Sequence, residues 1–210
     1  MIHRFESHLF WGTYSPFSSL MGVCLIILAS VRFAFALFCT GALIWVYALT
    51  VLIYSKSGKL MPVQGQKLIL LFLSTFLCGI FIFIFSFINP LVVYRTAYIL
   101  LLIPPIFIGS GLAEASKTVD PIKAFSKALL EAAVLSGIIL GIALIREPLG
   151  MGTISFPAGV SGITETKGES GFVPLGILSV SAGGIMLFGY LLALYRFLKD
   201  QKNRNQGESK

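Results

Sequence analysis

Charge is scarce in this sequence. Asp, Glu, Lys and Arg supply 12% of its 210 residues, about half the share found in soluble globular domains, and the mean hydropathy is +0.90. That excludes a water-soluble globule of this length, which needs more polar surface than the chain has. Histidine is scarcer still. His3 and His8 are the only two, with no cysteine or carboxylate cluster around them, so a zinc site or a histidine-based triad has little material. The three cysteines, Cys24, Cys39 and Cys78, each fall inside an apolar run, where a free thiol is usually a small packing residue and a disulfide is not expected. Long polar stretches are also missing. The longest, 147–171, holds six glycines and two prolines, the composition of a loop and not of a second domain. Its Gly150-Met151-Gly152 segment lacks the preceding strand and following helix of a dinucleotide turn.

What the chain has instead is apolar runs of membrane-spanning length. A spanning helix needs about 20 mostly apolar residues, and six runs qualify: 10–30, 33–54, 68–88, 97–112, 124–145 and 172–195. Lipid offers the backbone no hydrogen-bond partner, so these runs are expected to be helices. The expected fold is an all-α integral membrane protein of six transmembrane helices in one domain covering 1–210, ending in a basic tail at 196–210. Asn89 and Pro90 stop the third run. A cleavable signal peptide is not expected, because Glu6 lies close to Arg4 and no small-residue cleavage site follows before the apolar run continues.

Orientation follows from the basic residues. If the runs all cross, one side receives Arg4, the lysines at 56, 59, 67, 117, 123 and 127, and the five basic residues of the tail, twelve in all. The other side receives only Arg32, Arg95, Arg146 and Lys167. Short cytoplasmic loops retain positive charge, so both termini are expected to be cytoplasmic in a bacterial inner membrane, with 147–171 outside. The net charge of +7 is then a topology signal and implies no nucleic acid.

Two of the six runs are interrupted. The first carries Gly12, Pro16 and Gly22, and the fourth carries Pro104, Pro105, Gly109 and Gly111. Each is the first of a group of three, and three spans per half would place two homologous halves upside down relative to each other. The expectation is a 3+3 inverted repeat in which broken helices one and four bury their freed backbone groups against protein, a cofactor, water or an ion path. Each break sets a small side chain beside glycine: Gly22-Val23-Cys24 in the first and Gly109-Ser110-Gly111 in the fourth.

Three landmarks along the chain carry a family resemblance. Trp11 to Tyr54, with Ser15 and Leu20-Met21-Gly22-Val23-Cys24, resembles the opening of the RnfE and NqrD subunits of the ion-translocating Rnf and Nqr respiratory complexes. Ile103-Pro104-Pro105-Ile106 through Leu112-Ala113-Glu114-Ala115 resembles that family's fourth helix. Arg146-Glu147-Pro148-Leu149-Gly150-Met151-Gly152-Thr153-Ile154 resembles its motif of Arg-Glu, two residues, Gly, any residue, Gly-Thr and an apolar residue. The resemblance implies a membrane subunit, non-catalytic alone, of a translocase coupling NADH:quinone or ferredoxin:NAD electron transfer to sodium or proton movement. It implies a sister subunit of opposite topology as partner, beside membrane lipid. Cysteines from the first and fourth helices of the two subunits would hold a two-iron two-sulfur cluster between them, passing electrons to flavins elsewhere in the complex. Cys24 matches the first cysteine. The second has no counterpart, since no cysteine follows Cys78; its place falls near Phe107, and Ser110 is the nearest side chain able to ligate. Leu25 also stands where the family typically has proline. The expected cluster is therefore weakened, oxygen-ligated or absent.

Two other functions suit the same topology: the substrate-binding membrane component of a small-solute importer, and a scaffold subunit without a redox centre. Composition does not separate them. Among the charges near the membrane, Arg32, Arg95, Arg146 and Glu147 read as interfacial anchors at span ends. Glu131, a third of the way into the fifth run, reads as the partner of Lys127 one turn earlier, with a contribution to ion passage as the alternative.

Overall fold

The computed structural model describes residues 20–57, 65–109, 121–158, 162–167 and 175–207. They form helices α1 (Leu20–Ala29), α2 (Phe33–Ser57), α3 (Gln66–Ser86), α4 (Pro90–Leu100), α5 (Ile103–Gly109), α6 (Pro121–Met151) and α7 (Ser181–Gly207), with strands β1 (Thr153–Pro157) and β2 (Ile163–Lys167) and a 3-10 turn at Gly176–Leu178. Five segments are long and apolar enough to cross a membrane: Phe33–Ser57, Gln66–Ser86, Pro90–Gly109, Ile122–Met151 and Ser181–Leu198. The protein is a multi-pass helical membrane protein. Its helices carry exposed Phe72, Phe76, Phe83, Tyr94, Ile185 and Phe197, a surface that lipid covers and water would not tolerate.

α2 is the centre of the bundle. It packs along α6 and also meets α1, α3, α4, α5 and β1. Ala36, Cys39, Ala42 and Leu43 of α2 and Ala132, Leu135, Ile139 and Ala143 of α6 are all buried; the alanines and Cys39 among them are small enough to let the helices approach closely without a polar seam. Phe38 and Trp45 of α2 stack with Phe81 and Phe85 of α3, ring centroids 5.2 to 6.3 Å apart.

Several boundaries differ from the sequence expectation. The fourth span starts at Pro90, not 97, because Asn89 both ends the α3 turn and caps α4: its side-chain oxygen accepts the Val92 N–H at 3.2 Å. Proline at the first helical position loses no hydrogen bond, since that N–H is free in any helix. The span then breaks at Leu101–Leu102. Pro104 and Pro105 have no N–H to offer the carbonyls four residues earlier, those of Leu100 and Leu101, and the chain tightens locally, with Leu102 donating to Ile99 at 3.1 Å. The fifth helix runs on past 145 to Met151, with Pro148 inside it. It ends at Gly152, whose φ of 69° is the left-handed cap that glycine adopts without penalty. The sixth helix starts at Ser181, not 172, and continues through the basic tail to Gly207. Of the expected first span, 10–19 lie outside the described residues.

The segment 147–171 is not all loop, and the described chain is not purely helical. β1 and β2 pair antiparallel, Thr153 opposite Lys167 and Pro157 opposite Ile163. This hairpin lies across one end of the bundle. Asn89 donates its side-chain N–H to Gly162 at 2.9 Å, Arg32 pairs with Glu165, and Phe33 meets Phe156 edge-on. The α1–α2 turn, the α3–α4 turn and the starts of β1 and α7 therefore share this hairpin end, while Ser57 and Pro121 lie at the far end.

Candidate functional site

The α1–α2 turn poses a capping problem. The last carbonyls of α1 and the first N–H groups of α2 have no partner within their own helices. Arg32, the residue before α2, is no capping side chain and carries the wrong charge for a helix start. Both needs are met from α6 and β1. Glu147 accepts the Phe33 N–H at 2.6 Å and the buried Ser155 hydroxyl accepts the Ala34 N–H at 3.3 Å. Arg146 reaches the other helix end, donating to the Ile27 carbonyl at 2.7 Å and the Ser30 hydroxyl at 3.2 Å.

The remaining donors of Arg146 hold α7. Its Nε–H donates to the Leu178 carbonyl at 2.7 Å, and its other NH2 group to Ser179 at 3.3 Å and Val180 at 2.9 Å. All five N–H groups of the guanidinium are used, each on a neutral oxygen. The close approach is made by glycines. A Cβ at Gly184 would lie 2.9 Å from the guanidinium carbon, one at Gly183 would lie 2.1 Å from the Ile177 carbonyl, and one at Gly150 would lie 3.0 Å from the Ser179 nitrogen.

This corrects the reading of Arg146 and Glu147 as interfacial anchors. They are 0% and 1% exposed, and they do not pair with each other. An anchor keeps its charged head in water; these two are enclosed and hydrogen-bonded to backbone. Arg32 and Arg95 differ from them: Arg32 is a quarter exposed and ion-paired, and Arg95 is exposed on α4. The signal in the sequence was the Arg-Glu pair set between a span and a Gly-x-Gly-Thr turn, together with the Gly-Gly pair opening the sixth helix.

The two interrupted spans meet. α1 packs against both α4 and α5. Cys24 lies half-buried on α1 and is a free thiol, whereas its neighbours Leu25 and Ile26 are fully buried. Ser110 lies outside the described residues, as do Glu114, His3 and His8. Phe107, the place nearest the missing second cysteine, is fully buried and edge-on to Tyr47, centroids 5.1 Å apart. Among the described residues no three His, Cys, Asp or Glu side chains group so as to hold a metal. Among the described residues one thiol, Cys24, stands where the resemblance would put a ligand. Cys78 is more than a packing residue: its thiol donates to the Leu100 carbonyl at 3.5 Å, one of the two acceptors that Pro104 and Pro105 leave free.

A second set of polar atoms sits toward the far end. Thr50 Oγ1 of α2 and Glu131 Oε2 and Ser136 Oγ of α6 are buried and have no hydrogen-bond partner. Glu131 and Lys127 do not come within ion-pair distance, but the Lys127 charge acts on the Glu131 carboxylate, in keeping with the i, i+4 reading; Lys127 itself is exposed. Thr50 and Ser136 escaped the sequence analysis because hydroxyls inside apolar helices usually bond their own backbone, as Thr40, Ser74 and Thr96 do here.

Neither a protein-family model nor a curated protein sequence matches the chain.

Proposed function

We propose that the chain is a membrane subunit of an ion-translocating oxidoreductase complex of the Rnf/Nqr type, coupling electron transfer to sodium or proton movement across a bacterial cytoplasmic membrane. The observation that carries the reading is the contact between α1, which bears Cys24, and the interrupted α4–α5 segment. These are the two helices that the resemblance assigns to cluster binding. The motif from Arg146 to Ile154 adds support: Arg146 and Glu147 close two helix ends, Gly150 admits the Ser179 backbone, Gly152 ends α6 and Thr153 opens β1. A motif with a geometric task at nearly every fixed position is one that a family of this fold would keep. On this reading the hairpin end faces outside, both termini are cytoplasmic, the halves form a 3+3 inverted repeat, and a sister subunit of opposite topology lies beside the chain.

The test is affinity purification of the tagged chain in mild detergent, followed by iron analysis and low-temperature EPR. Co-purification of a sister membrane subunit with a two-iron signal that Cys24→Ala removes makes Cys24 a ligand, and Ser110→Cys should then strengthen the signal. An iron-free pair makes the chain a scaffold within such a complex. A monodisperse, functional single subunit, or co-purification with an ATP-binding cassette protein, overturns the reading.

A further inference from the structure

α7 is held at one end only. Gly183 and Gly184 meet the 3-10 turn and Arg146, and Leu187, Phe188, Leu191 and Leu192 lie against the core. From Ala193 on its described side chains are exposed, Leu194, Arg196, Phe197, Leu198 and Gln201 among them. The helix nevertheless continues to Gly207. Its 27 residues extend about 40 Å at about 1.5 Å per residue, against about 30 Å of hydrocarbon in a bilayer. The apolar window closes at Leu198, about 26 Å along the axis from Ser181. Residues 199–207 therefore fall at the depth of the lipid headgroups.

This end of α7 is cationic. It carries Arg196, Lys199, Lys202 and Arg204, with Asp200 as the one acidic residue among them. Arg196, Lys199 and Lys202 follow at intervals of three, the spacing of neighbours on a helix surface. Lys56 at the end of α2, Lys67 at the start of α3 and Lys123 and Lys127 in the first turns of α6 stand on the same side of the molecule. Among the described residues that side holds eight basic residues against two acidic ones, Glu131 and Asp200, so most of its charge calls for an anion from elsewhere. Segment 1–19, which could also lie along the free half of α7, has Arg4 against Glu6 and no net negative charge to give. A protein in the aqueous phase could meet the lysines but not Leu194, Phe197 and Leu198, which lie within the apolar window. An anionic phospholipid meets both, acyl chain beside the apolar residues and phosphate at the basic ones.

We propose that the end of α7, from Leu194 to Arg204, is a binding arm for anionic phospholipid in the leaflet away from the hairpin. Clusters of Lys and Arg beside a spanning helix draw anionic headgroups to the membrane surface, and here the cluster sits on a helix that runs straight on from the span. The bound lipid steadies the half of α7 that the Arg146 network does not reach. The inference uses neither electron transfer nor ion coupling, and it stands or falls apart from the function proposed above.

The test uses the purified chain, with whatever subunits accompany it, reconstituted in phosphatidylcholine vesicles. Spin-labelled phosphatidylglycerol is compared with spin-labelled phosphatidylcholine for the fraction immobilised at the protein surface. Wild type should select the anionic lipid about fivefold or more at low salt, the equivalent of one basic residue's attraction, and the preference should fall as salt is raised. Joint replacement by Lys199→Gln, Lys202→Gln and Arg204→Gln should remove most of the preference. Lys199→Arg with Lys202→Arg should keep it, and so should Lys123→Gln with Lys127→Gln on α6. Gel-filtration profiles matching wild type show that the variants are folded, and Lys202→Gln alone carries the test, with a partial loss, if the triple variant does not assemble. A preference that is absent in wild type, or unchanged in the glutamine variants of α7, overturns the proposal. So does a preference that survives in the triple variant while an accompanying subunit is lost, which would make the end of α7 a protein contact.

Discussion

Arg146 and Glu147 are neighbours on α6, yet they close opposite ends of two different helices. The guanidinium takes the Ile27 carbonyl at the C-terminal end of α1, and the carboxylate takes the Phe33 N–H at the N-terminal end of α2. Each charge has the sign that its helix end attracts. Because α1 and α2 are joined by a turn of three residues, one dipeptide serves both ends. Full burial of the pair is tolerable because the guanidinium has five acceptors and the carboxylate stands at the positive end of α2, so neither depends on the other as a counter-ion.

Arg146→Lys should therefore behave as a severe substitution. Lysine has three donors on a point charge and lacks the planar fork that reaches Ile27, Ser30, Leu178, Ser179 and Val180 together. At least two acceptors lose their donor, and with each unsatisfied buried group costing about 1–3 kcal/mol, a loss of about 2–4 kcal/mol is expected. The unfolding midpoint in detergent measures it. A midpoint equal to wild type would mean that the five bonds do not hold the α1–α7 contact.

The glycines of α7 give an internal comparison. Gly184→Ala should destabilise, because the new methyl would sit 2.9 Å from the guanidinium carbon, while Gly189→Ala on the same helix meets nothing within 4 Å. Alanine in an open helical position is favoured over glycine by about 1 kcal/mol, and forcing a methyl into a filled site costs about 1–3 kcal/mol. Opposite shifts in the two midpoints are expected. Equal shifts would show that α7 has room to move away from Arg146.

The apolar runs were legible because lipid forces long hydrophobic stretches into helices, and so was the interruption at Pro104 and Pro105, because proline lacks the N–H its helix needs. The enclosed state of Arg146 was not. A charge at the end of an apolar run looks the same in sequence whether it reaches water or a ring of oxygens, and only the tertiary approach of the α1 end and of Leu178 to Val180 supplies that ring. The hairpin was hidden because the segment around it, 147–171, holds six glycines and two prolines, which suggested loop. Thr153 to Pro157 does alternate, yet it pairs only because Gly152 turns the chain back over the bundle. For the candidate site, Cys24 and Glu131 were visible as side chains out of place in a span. Thr50 and Ser136 were not, since their significance is the missing partner, a property of packing.

Cys78 offers a smaller test of the helix break. Cys78→Ser keeps a donor for the Leu100 carbonyl, whereas Cys78→Ala removes it and leaves a freed carbonyl with no replacement. The difference between the two variants should be about 1 kcal/mol, the net worth of one hydrogen bond, with serine the more stable. If alanine matches serine in unfolding midpoint, the Pro104–Pro105 break does not rely on the thiol.

Orientation is open to a direct measurement that the fold makes clean. Thr166 lies exposed on β2 at the hairpin end, and Ser57 is the last residue of α2 at the far end. A helix of 25 residues is about 37 Å long, so the two positions lie on opposite sides of any bilayer the bundle spans. If all six apolar runs cross, twelve of the sixteen basic residues fall on the side of Ser57, and the positive-inside bias would put that side in the cytoplasm. Single cysteines at Thr166 and Ser57, in a background carrying Cys78→Ser with Cys24 and Cys39 replaced by alanine, separate the alternatives. An impermeant thiol reagent on intact cells should label Thr166→Cys alone, and Ser57→Cys should react only after the membrane is opened. Labelling of Ser57→Cys alone would invert the topology, placing the hairpin and the Arg146–Glu147 network on the cytoplasmic side.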